Sequence, residues 1–128
     1  MRVTREHIEI YLAEVKEAVR AGRYQISMNS NRQDNLNFFA DYLVDEEGAK
    51  EIILSLEVED FSEVRKNKKP RFEHENLYVF GKEVRVVERF GDREKTVSLY
   101  IKFNQKEDKY VVVVSFHEQK FPLYYCFK

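Results

Sequence analysis

The sequence predicts an α+β fold, with N-terminal helices packed on one face of a C-terminal antiparallel β-sheet, and three observations carry that reading. Apolar residues recur at helical spacing up to about Leu56 and at alternate positions beyond it. The alternation is cleanest where Val97, Leu99, Ile101 and Phe103 interleave with Ser98, Tyr100 and Lys102. With 128 residues, 43% hydrophobic and 14% aromatic, the chain makes a single domain, 1–128, able to bury a core of its own.

Thr4 is placed to cap a first helix, on which Ile8, Tyr11, Leu12, Val15, Ala18 and Val19 form one apolar stripe until Gly22 stops it. Tyr24-Gln25-Ile26-Ser27 reads as a short extended segment, and the polar Asn29-Ser30-Asn31-Arg32 breaks the period. Leu36, Phe39, Tyr42 and Leu43 suggest a second, short helix. Asp45 caps a third, with Glu46 and Glu47 near its positive end and Ala49, Ile52, Ile53 and Leu56 facing inward. Val58 to Val64 leads into a strand that ends in a basic run and Pro70. Leu77 to Phe80 and Val84 to Glu88 read as strand segments separated by a bulge or bend at Gly81, and Gly91-Asp92 makes the next turn.

The last third is a β-hairpin, out from Val97, round Lys106-Glu107-Asp108-Lys109, and back from Tyr110 to His117. Pairing Gln105 with Tyr110 sets Tyr100 opposite Ser115 and Ser98 opposite His117, and puts Val111 and Val113 on the face of Tyr100. Tyr100 and His117 then lie diagonally, roughly 7–8 Å apart at Cα, where phenol and imidazole can reach one bound group. The closing Phe121 to Phe127 is apolar and β-prone, with Pro122 confining its start to a sheet edge.

The net charge of −1 hides an asymmetry: residues 1–60 carry 7 basic and 13 acidic side chains, residues 61–128 carry 15 and 10. The basic excess peaks at Arg65-Lys66-Asn67-Lys68-Lys69-Pro70-Arg71, five cations in seven positions. Such a run is commonly a solvated loop; beside a polar strand face it becomes a footprint for a polyanion such as RNA. The single cysteine, Cys126, excludes an internal disulfide framework, and neither a signal segment nor an 18-residue apolar stretch is present, so the chain reads as soluble and cytoplasmic. Gly-rich phosphate loops, paired-Cys zinc spacing and His-x-x-x-His are all missing, so no metal or cofactor is expected. His7 on the first helix and His74 in a charged loop are read as surface residues; His117, closing a buried strand beside Ser115, is the histidine positioned for chemistry.

Three stretches together resemble the MqsR family of bacterial type II toxins: Ile52 to Phe61, then Leu99-Tyr100-Ile101-Lys102, then Val112 to Glu118 with its Ser115-Phe116-His117 core. These match, in order, the family's "I-x-x-L-x-x-x-D-F" helix end, "Y-[IL]-K" strand and "[VI]-S-F-[KH]-E" strand, over roughly residues 8–118. The resemblance implies a RelE-like fold and an mRNA-cleaving ribonuclease neutralised by a cognate antitoxin. It places Tyr100 at the family's active-site tyrosine and His117 where the best-known members carry lysine. The family lysine two residues after "D-F" is replaced by Glu63, which turns attention to Arg65 or Lys66 for that charge. Residues from Gln119 onward have no counterpart in the shorter members.

The implied reaction is metal-independent, because RNA supplies its own nucleophile in the 2′-hydroxyl. His117 and Tyr100 are the expected catalytic pair, with Lys102, Arg65, Lys66, Lys68, Ser98 and Ser115 binding substrate, and Tyr78 or Phe80 stacking an unpaired base. Two other readings compete: a module that uses the same basic groove to bind RNA without cutting it, and a protein-interaction module using the acidic helical half and the C-terminal aromatics.

Overall fold

The structure, a computed structural model, describes residues 3–128. These form an α+β arrangement of three helices and a five-stranded mixed sheet, in the order α1 (Arg5–Arg20), β1 (Tyr24–Ile26), α2 (Gln33–Asp41), α3 (Glu46–Leu54), a 3-10 turn (Val58–Asp60), β2 (Phe61–Lys66), β3 (Asn76–Val87), β4 (Glu94–Gln105) and β5 (Val111–Glu118). Strand order across the sheet is β1-β5-β4-β3-β2. The sheet is not purely antiparallel as expected, because β1 pairs in parallel with β5. Among the described residues no helix is long and apolar enough to cross a membrane.

Local chemistry accounts for the helices. The Thr4 side chain accepts from the His7 N–H at 3.1 Å, and Gly22, with φ of 78°, ends the exit turn of α1. The six residues read as its stripe are the six it buries. Asp45 caps α3 through the Gly48 N–H at 2.8 Å. The helices pack on one sheet face, α1 and α2 against β5 and α3 against α1, and there Phe80, Leu99, Ile101, Phe103 and Phe116 are fully buried.

α2 differs from expectation in the face it buries. Asn35 and Phe38 point inward, while Leu43 lies beyond the helix and is half exposed. Asn35 sits where an apolar residue would be expected because it closes a gap in β5. Its amide donates to Ser27 O (2.8 Å) and Val114 O (3.1 Å), and its Oδ1 accepts from Phe116 N–H (2.8 Å). Asn35 takes over where β1 stops, satisfying backbone groups that would otherwise be buried unpaired.

The β4–β5 hairpin also departs from the expected register, by two single-residue steps. Lys106 N–H donates to Tyr110 O at 2.8 Å and leaves three residues, 107–109, in the loop, so Gln105 pairs with Val111 rather than Tyr110. A β-bulge then leaves Val114 without a register partner, between Phe103↔Val113 and Lys102↔Ser115. The first step turns Val111 and Val113 to the helix side, where both are fully buried, and not to the face of Tyr100. The second restores the alternation, so Ser115 and His117 return to Tyr100's face. Tyr100 is therefore directly opposite His117, and Ser98 is not.

Two further expectations are corrected. β3 runs unbroken through Gly81, which is neither bulge nor bend: it pairs in register with Tyr100. The strap approaches this glycine closely: a Cβ there would strike the Tyr125 hydroxyl and lie 2.7 Å from Leu123 Cδ1, so any side chain would have to displace these side-chain ends. Residues 119–128 form no strand but a strap laid over the far end of the second sheet face.

Candidate active site

The half of the second sheet face left open by the strap forms the floor of a cleft. Tyr100 on β4 and His117 on β5 pair across it, and their rings stack with centroids 5.3 Å apart and planes 14° from parallel. The next row along the same strands pairs Lys102 with Ser115, and the Lys102 ammonium reaches to 5.9 Å from the Tyr100 ring centroid. His117 Nδ1 lies 2.8 Å from the Glu118 carbonyl oxygen. A carbonyl can only accept, so Nδ1 donates, and the neutral ring keeps its lone pair on Nε2.

The walls add charge. Arg65 comes from β2 and Arg32 from the loop entering α2, facing each other across a cleft of about 730 Å³ closed at its far end by Phe121, Leu123 and Tyr124 of the strap. A second groove of about 780 Å³ adjoins it, sharing Arg32, Arg65, Tyr100, Lys102 and Phe121 and adding Lys66, Lys68, Lys69 and Lys106. The two make one continuous basic trough. The acids against it are few: Glu63 lies 3.9 Å from Arg65, Asp34 is paired with Lys120 at 2.8 Å, and Glu75 binds Lys106 at 2.9 Å.

Electrostatics follow from this placement. Burial raises the Tyr100 phenol, with the Arg65 charge pulling weakly the other way, so the hydroxyl stays protonated and able to donate at neutral pH. Burial lowers Lys102, and Arg32 and Arg65 lower it further by repulsion. Three cations held around one another, with Glu63 beside Arg65 as the one acid among them, favour any ligand that brings negative charge.

Of the residues singled out from sequence, His117, Tyr100, Lys102, Ser115 and Arg65 converge in the cleft, while Lys66 and Lys68 line the adjoining groove. Ser98 does not join them: it pairs with Glu83, its carbonyl accepts the Gln119 N–H at 2.8 Å, and it lies beyond the cleft. Tyr78 and Phe80 cannot stack a base, being buried on the helix-covered face. His7 is not a plain surface residue, since its Nε2 lies 2.8 Å from the Tyr78 hydroxyl. Cys126 is exposed, its thiol 3.1 Å from the Ser62 carbonyl. Among the described residues no three His, Cys, Asp or Glu side chains gather as a metal site.

Sequence reasoning missed Arg32, Lys106, Phe121 and Tyr124. Arg32 and Lys106 had a weak signal, each a cation at the junction of a polar loop with a regular element. The two aromatics had a misleading one, because β-prone composition suggested a strand. Comparison of the chain with protein-family models, with curated proteins and with solved structures gave no match.

Proposed function

We propose that this protein is a metal-independent endoribonuclease, the toxin of a type II toxin–antitoxin pair, acting on mRNA in the cytoplasm, with a RelE-like relationship among its elements and a cognate antitoxin as protein partner. The observation that carries the reading is the stacked Tyr100–His117 pair on the floor of a cation-rich open cleft. The resemblance to the MqsR motifs supplies the substrate and the partner.

In the reaction, the 2′-oxygen attacks the adjacent phosphorus, the P–O5′ bond breaks, and a 2′,3′-cyclic phosphate and a 5′-hydroxyl end result. His117 Nε2 is the group that moves a proton, taking it from the 2′-hydroxyl or, when the ring is charged, giving one to the departing 5′-oxygen. Tyr100, kept protonated by burial, donates to a phosphate oxygen. Lys102, Arg65 and Arg32 hold the extra negative charge of the phosphorane, and the same charge relieves their mutual repulsion. A placed proton-transfer group contributes about 10²–10⁴-fold, so removal of His117 should be felt at that scale.

The test is incubation of the purified chain with mixed-sequence RNA, with and without ribosomes, and mapping of the cut ends. Cyclic phosphate and 5′-hydroxyl ends are expected, and His117→Ala should retain RNA binding while losing cleavage and growth arrest. RNA left intact under all these conditions rules out the nuclease and leaves an RNA-binding module on the same trough.

A further inference from the structure

The strap, residues 119–128, is held to the sheet at alternate points. Gln119 N–H and Nε2 donate to Ser98 O (2.8 Å) and Leu99 O (2.9 Å), Ser62 Oγ donates to Tyr124 O (2.7 Å), and Phe127 stacks on Phe61 at 6.0 Å. Leu123 and Tyr125 rest on Gly81, in space that any side chain at that position would fill. Between these anchors two aromatic rings are turned outward, Phe121 at 75% exposure and Tyr124 at 79%, and both line the cleft.

A backbone fixed this firmly has no need to leave two large rings in water, where each forgoes the burial that aromatic side chains ordinarily gain. What they face decides what suits them. Across the cleft stand Arg32, Arg65 and Lys102, an arrangement that repels a cationic partner, would be desolvated without compensation by a purely apolar one, and matches alternating phosphates and flat π-faces. Unpaired nucleotides present both. Paired nucleotides do not, because their faces are already stacked inside the duplex.

We infer that the strap is a base-binding wall, on which Phe121 and Tyr124 stack unpaired bases flanking the phosphate held above Tyr100 and His117. The inference rests on the RNA reading of the cleft and deepens it: the substrate is single-stranded over the nucleotides that touch the strap, and selection there is by base stacking and not by base identity.

The experiment uses the full chain and a labelled 2′-O-methyl RNA octamer, which keeps bases and phosphates but has no 2′-hydroxyl nucleophile, so binding is read by anisotropy apart from cleavage. The Phe121→Ala/Tyr124→Ala double variant is expected to bind it at least about tenfold more weakly than wild type, consistent with the usual worth of stacked bases. An octamer with abasic central positions should bind both proteins alike and weakly, a pre-formed duplex should bind weakly to both, and Phe121→Tyr/Tyr124→Phe should restore affinity. Equal octamer affinity for wild type and the double variant overturns the inference, as does a dimer of the wild-type chain that the double variant dissociates, since the rings would then cover each other. The two readings fail separately: ring-dependent octamer binding without cleavage of ordinary RNA removes the nuclease and keeps the wall, while cleavage indifferent to both rings does the reverse.

Discussion

The two faces of β4 share one backbone and differ in almost everything else. Leu99, Ile101 and Phe103 are fully buried in the core beneath the helices, whereas Tyr100 and Lys102, one residue along, stand on a cleft floor among cations. The helix-covered face supplies the cohesion; the other face is thereby free to hold a repelling cluster of charges that contributes nothing to holding the chain together. A sheet pinned from one side is a rigid platform for chemistry on the other.

The largest expected effect breaks that contrast from the covered side. Phe116→Ala empties a site packed against Phe38 and Phe39 and should cost about 3–5 kcal/mol in urea denaturation, against less than about 1 kcal/mol for Tyr100→Phe, which removes one hydroxyl from the open face. Similar costs for the two would mean that the open face also carries the fold.

A smaller effect is expected at the residue joining the two faces. Asn35→Ala strands the Val114 carbonyl and Phe116 N–H beside the bulge and should cost about 2–3 kcal/mol, with faster hydrogen exchange at the Phe116 amide. Exchange at Phe116 unchanged from wild type would show that the bulge holds itself.

The smallest effect has the opposite sign. Because Lys102 is held below its ordinary value, by burial first and then by Arg32 and Arg65, its charged form opposes folding. That penalty is present below the lowered value and fades as pH rises through it towards 10.5. Lys102→Met should therefore be slightly more stable than wild type at neutral pH, by less than about 1 kcal/mol, with the gain shrinking in alkali. Thermal midpoints measured from neutral pH to pH 10 check this, and a variant less stable than wild type at neutral pH contradicts the repulsion.

What could be read in advance was whatever local periodicity controls. The stripe of α1 and the alternation of β4 are each carried by one element against one face, and their buried residues are those the pattern names, save for Asn104, which β4 also buries. The register of β5 was not legible for a physical reason: Val111-Val112-Val113-Val114 are all apolar, so the strand offers no alternation to say which face each residue takes, and the bulge leaves no mark in composition. The convergence of His117 with Tyr100 was expected from an incorrect pairing; in the fold the short loop and the bulge together produce it. Asn35 and Gly81 were opaque because each answers to a distant partner, the backbone at Val114 and Phe116 and the strap at Leu123 and Tyr125.

The borders of the sheet have a consequence for solution behaviour. On one side β1 is only three residues long; on the other, β2 carries exposed Glu63, Arg65 and Lys66, and its first carbonyl, at Phe61, already accepts the Cys126 N–H. Neither margin offers a long, flat, uncharged ladder that a second molecule could extend by strand addition. The trough can thus remain strongly basic and fully open at high concentration without the chains zipping together through their sheets.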